Sequence, residues 1–89
     1  MTDGSVWFKS RVAALRERGF DVELPTGDLA SEQMLRLEEQ ANRAAKIRAR
    51  VLDLPEHREQ ERGRFLAQLA NPLEAGAVEI ELSGLLRRH

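Results

Sequence analysis

The chain has 89 residues, 42% apolar and 33% charged, with a formal net charge of −1; that is enough for a single domain, residues 1–89, with a thin core. The apolar content argues against disorder, and the missing basic surplus argues against a dedicated nucleic-acid binder. With no cysteine, disulfides, thiolate catalysis and cysteine-held zinc are excluded, which fits a reducing, cytoplasmic setting.

The opening ten residues, MTDGSVWFKS, contain no basic segment leading into an apolar one, so no secretory leader is expected. No run approaches the ~18 apolar residues of a membrane span, so no membrane partner is expected either. Ser5 is placed to cap a first helix whose stripe is Val6, Phe8, Val12 and Leu15, with Trp7 beside it, and Gly19 is placed to stop it. Phe20–Leu24 (FDVEL) alternates apolar and acidic residues and reads as a short strand ended by Pro25. Asp28 or Ser31 then opens a long helix. Spacings of four and three pick out Ala30, Met34, Leu37, Ala41, Ala44, Arg48 and Val51, a narrow coiled-coil-like seam.

Leu54-Pro55 interrupts that helix, because proline removes a donor and pushes the preceding residue out of helical geometry. Asp53 followed by Glu56 has the form of a capping box, so a new helix is expected to begin here. Its first half, Glu56–Arg64 (EHREQERGR), has no apolar side chain; its second half carries Phe65, Leu66 and Leu69. If the chain reverses at Pro55, the basic run Arg43–Arg50 lies along the acids Glu56, Glu59 and Glu61. Phe65 then lies opposite the small residues Ala41 and Ala44. Asn71-Pro72-Leu73-Glu74 repeats the capping pattern, but Gly76 limits it to about one turn. Ala77–Ser83 (AVEIELS) alternates again and reads as a second strand. The expected fold is mainly α with a minor β part, in the order helix, strand, long helix, helix, strand. In it, an antiparallel helical hairpin packs with the N-terminal helix and two short strands.

Catalytic chemistry is poorly supplied. His57 and His89 are the two histidines, the serines lack a base, tyrosine is absent and no glycine-rich phosphate loop occurs. No catalytic, cofactor or metal residue is therefore assigned, and the chain is not expected to be an enzyme. The expected function is a non-catalytic protein–protein interaction module: a small adaptor, assembly or regulatory subunit that associates with another protein or with itself as a homo-oligomer. Contact residues are expected at Trp7, at the hairpin tip (Arg48, Arg50, Leu54 and His57) and along the second strand (Val78, Ile80 and Leu82). The alternative is a nucleic-acid-associated regulator. Arg43, Lys46 and Arg50 share one helix face through spacings of three and four, and that face could meet phosphate.

Overall fold

A computed structural model describes residues 4–87, with side chains from Val6 onward; the cap assigned to Ser5 and the histidine at 89 fall outside the described part. The first helix, α1, spans Gly4–Glu17 and buries Val12 and Leu15. Its end is a Schellman turn. Phe20 N–H donates to Leu15 O at 3.1 Å and Gly19 N–H to Arg16 O at 3.0 Å, with Gly19 at φ +92°. Phe20 and Leu15, both buried, supply the apolar contact that accompanies this motif.

The segment after it is extended, but no strand forms among the described residues, contrary to the expectation of two strands. The alternation at Phe20–Leu24 is real: Phe20 and Val22 are buried while Asp21 and Glu23 are exposed. A strand needs a ladder of backbone partners, and this segment has helices beside it instead. Asp21 N–H donates to Ala70 O at 2.7 Å, and Val22 O accepts Nε and Nη2 of Arg16 at 3.1 and 2.9 Å.

Helix α2, Ala30–Leu52, is the spine, about 35 Å long at ~1.5 Å per residue. It starts without a side-chain cap, so neither Asp28 nor Ser31 fills that role. Ala30, Met34, Ala41, Ala44, Ile47 and Val51 are buried. Ile47 joins the buried set because α2 is covered on more sides than a two-helix seam requires. Arg48 is half-buried, its guanidinium 4.6 Å above the Phe20 ring and donating to Arg18 O at 3.1 Å. A long stem with a charged head can occupy such a position without stranding its charge.

The helix ends where proline dictates. Asp53 caps it, Leu54 is buried, and Pro55 is extended at φ −66° and ψ 163°. A 3-10 turn, Glu56–Arg58, leads into α3, Glu59–Gln68, with no side-chain cap, so the Asp53 capping box is not formed. Phe65 enters one continuous core with Ala41, Ala44, Leu69 and residues of every other helix. The second capping pattern forms in part: Asn71 Oδ1 accepts Leu73 N–H at 3.1 Å, but Asn71 N–H donates to Gln68 O and the Glu74 carboxylate accepts from Gln68 instead; Pro72 is buried in the 3-10 turn Pro72–Glu74. The final element is not a strand but a helix, α4, Ala75–Arg87. Ala75, Val78 and Leu82 are buried and Leu85 packs against them, a spacing of three and four that only a helix places on one face.

Ion pairs and hydrogen bonds fix the directions. Arg11 bonds Glu38 at 3.1 Å and Arg48 reaches the Arg18 carbonyl, so α1 and α2 advance together. Gly76 lies beside Arg43, and Glu79 reaches on to Arg50, so α4 also advances with α2. Arg64 meets Glu81 at 2.9 Å and Gln68 meets Glu74 at 3.4 Å, so α3 runs against both. The chain therefore doubles back at Pro55 and again at Asn71. The product is a rod of 58 × 20 × 15 Å with a radius of gyration of 15.3 Å, against ~12 Å for a compact chain of this length.

Two glycines separate backbone need from backbone cost. Gly63 lies inside α3, and a Cβ there would meet nothing within 4 Å. Gly63→Ala should stabilise the fold by ~0.5–1 kcal/mol, because alanine loses less freedom on folding. Gly19→Ala should destabilise, because its φ is positive. Urea titration of both variants checks this; a stabilised Gly19→Ala would contradict the Schellman turn.

Candidate interaction surface

The second-strand residues part company once they lie on α4. Val78 and Leu82 are fully buried, so neither can meet a partner; they hold α4 to the core. Ile80, two residues from each, points the other way and is 75% exposed, the most exposed of the large apolar side chains. Leu54 is likewise buried and closes the hairpin tip from within. His57 is exposed at that tip.

Ile80 does not stand alone. On α4, Ala77 is exposed one turn before it and half-buried Gly84 comes one turn later; Leu73, 56% exposed, lies in the 3-10 turn that precedes the helix. Spacings of three and four line Ala77, Ile80 and Gly84 along one side of the helix, opposite the buried stripe. Half-buried Gly76 and Ser83 flank the row. Ala77, Ile80, Ser83 and Gly84 make an uncharged stretch on the outward side of α4, bordered by the exposed Glu81 and Arg87. Grooves run on both sides. One, of about 610 Å³, lies between α2 and the start of α4, with Leu37 and Leu73 among its walls. The other, of about 320 Å³, lies between α3 and α4 and is lined by Phe65, Ile80, Gly84 and Leu85 together with the ion-paired Arg64 and Glu81.

Trp7 sits on α1, 41% exposed. Its ring is edge-on to Phe8 at 4.8 Å, and the Arg11 guanidinium lies 4.3 Å from its centroid. Arg11 is itself held by Glu38, so the indole is fixed in place before any partner arrives. A fixed, half-exposed tryptophan suits contact, since little side-chain entropy is lost on binding.

The basic face is answered from within the chain, though not by the helix the sequence pointed to. Arg43 donates to Glu79 on α4, and Arg50 stands 3.8 Å from the same carboxylate. Glu61 instead pairs with Arg58, three residues away at 3.8 Å, and Glu56 and Glu59 are exposed. The expected match between the basic half of α2 and the acidic half of α3 is not made. The reason is that α4, once helical, brings a carboxylate between the two arginines. Lys46, on the same face, is exposed.

No family model, curated protein or solved structure matches this chain. Among the described residues, no three histidine or carboxylate side chains gather as metal ligands would, and no helix is long and apolar enough to cross a membrane.

The Glu79 clamp has a pH signature. The hydrogen bond from Arg43, then its charge and that of Arg50, outweigh desolvation and hold the Glu79 carboxyl below its ordinary value of 4.5. A carboxyl lowered in the folded state contributes stability that is complete above its unfolded value and lost as pH falls through the folded one. The stability difference between wild type and Glu79→Gln should therefore narrow as pH drops below 4.5. Denaturant midpoints for both proteins across acidic pH test this. A difference that stays constant with acidification would mean that the carboxylate is not clamped.

The outward residues of α4 that the sequence concealed share one cause. Ala77, Ile80 and Gly84 fall on one side only on a helix. Their three-four spacing is visible in the sequence, but the alternation of Val-Glu-Ile-Glu-Leu masks it.

Proposed function

We propose that this chain is a non-catalytic protein–protein interaction module that binds through the outer face of α4. The observation that carries the reading is Ile80, an isoleucine 75% exposed on the outward side of α4, with Ala77 and Gly84 one turn to either side. Contiguous apolar patches of this kind mark binding surfaces, and depletion of charge is the compositional sign of an interface centre. His57, exposed at the hairpin tip, lines neither of the grooves beside α4. An adaptor or assembly subunit needs no more than such a face and a core rigid enough to present it.

Site-specific photo-crosslinking in the native host tests the reading against nucleic-acid binding. A photoreactive residue replacing Ile80 should form adducts with polypeptide, and one replacing Lys46 should not crosslink to nucleic acid. Adducts with DNA or RNA at position 46, or none with polypeptide at position 80, would overturn it. Salt gives a second readout. Phosphate binding through Arg43, Lys46 and Arg50 would weaken about 40-fold between 50 and 200 mM salt, whereas docking on α4 should change little.

A further inference from the structure

We infer that the depression between the start of α2, the segment 21–26 and the 3-10 turn Pro72–Glu74 takes an extended segment of a partner polypeptide, acidic at one end, basic at the other and apolar between. This site is separate from the outer face of α4 and does not depend on it.

Two grooves adjoin here. The groove of about 610 Å³ between α2 and the start of α4 shares Gln33, Leu37 and Leu73 with another, of about 550 Å³, that continues along residues 21–26. Leu73, 56% exposed, and half-buried Leu37 line both, which gives the depression an apolar middle. Its two arms carry opposite charge. Among the described residues, the arm along α2 is lined by Arg36 and Arg43 without a carboxylate, and the arm along 21–26 by Asp21 and Glu23 without a cation.

Three of these four charges are uncommitted. Among the described residues, Arg36, Asp21 and Glu23 enter no ion pair, while Arg43 is engaged by Glu79. The groove between α3 and α4 is the contrast, because its Arg64 and Glu81 pair with each other. Opposite charges held apart by an apolar middle select a ligand of the complementary order. Its carboxylates lie at Arg36, an apolar side chain packs on Leu73, and its cations lie at Asp21 and Glu23.

The backbone argues for polypeptide over a compact small molecule. The N–H groups of Glu23 and Leu24, in the wall of the second arm, donate to no protein acceptor among the described residues. An extended chain laid alongside accepts from such groups with its own carbonyls and donates in return, as peptides do along an exposed backbone edge.

The test uses the purified full chain and a phage-displayed library of random peptides of about nine residues, ~30 Å when extended. Selection should enrich peptides with Asp or Glu at one end, Lys or Arg at the other and apolar residues between. As fluorescein-labelled synthetic peptides, these should bind about tenfold or more weakly to Arg36→Glu, and likewise to the double variant Asp21→Lys with Glu23→Lys, because each change sets like charge against like. All three positions are exposed, so circular dichroism and the thermal midpoint should stay as in wild type. Selection against Arg36→Glu should place Lys or Arg at the end that was acidic, a compensation that a merely structural role for Arg36 would not produce. Ile80→Glu should leave peptide binding unchanged. No enrichment, enriched peptides without segregated charge, or affinities indifferent to both charge reversals would overturn the inference, while crosslinking to polypeptide through position 80 would leave the α4 reading standing.

Discussion

Phe65→Ala should destabilise the protein by about 3–5 kcal/mol, the range for deleting a buried aromatic ring. The ring is 1% exposed and belongs to the same buried cluster as Ala41 and Ala44 of α2, both fully buried. Neither alanine can expand into the space left behind, so a cavity would remain. A chain of this length has about 4–13 kcal/mol of stability in all, so the variant should be marginal or largely unfolded at room temperature. Urea titration followed by far-ultraviolet circular dichroism measures the loss. The complementary change, Ala44→Leu, should cost about 1–3 kcal/mol by overpacking the same contact. A loss below about 1 kcal/mol for Phe65→Ala would mean that the ring does not span the two helices, and the reversal at Pro55 would lose its main apolar support.

The hairpin was legible because its signals were either local or matters of size. Proline at 55 stops α2 whatever surrounds it, and Phe65, Ala41 and Ala44 do share one core. The electrostatic part was not legible, for a traceable reason. Arg43 and Arg50 do find a carboxylate, but it is Glu79, on an element whose alternation reads as a strand. One misplaced element moved the partner of two arginines from α3 to α4. It also hid the outward face of α4, since Ala77, Ile80 and Gly84 share a side only on a helix. The first strand failed differently. Phe20 and Val22 do point inward as their alternation demands, but period two reports only which side chains face the core. It does not supply the neighbouring backbone that turns an extended segment into a sheet.

The segment Val78–Leu82 fits two periods, and the choice between them has a measurable consequence. On a strand, Val78, Ile80 and Leu82 share one face, so truncating any of them should cost about the same. On α4, Val78 and Leu82 are one turn apart and fully buried, while Ile80 faces away. Leu82→Ala should then cost about 2–5 kcal/mol, as for a buried leucine that leaves a cavity. Ile80→Ala, at concentrations where the chain is monomeric, should stay within about 0.5 kcal/mol, as exposed substitutions do. The capping turn at Asn71 is what tips the balance toward helix. It satisfies the backbone at the start, so α4 continues through Gly76 despite that residue's poor propensity, and burial of Ala75, Val78 and Leu82 offsets the cost. Asn71→Ala should accordingly weaken the fold by ~0.5–2 kcal/mol, while the disparity between positions 80 and 82 persists. Equal losses at Ile80 and Leu82 in the monomer would restore the strand, and with it would remove both the Glu79 clamp and the row of residues that gives α4 its outward face.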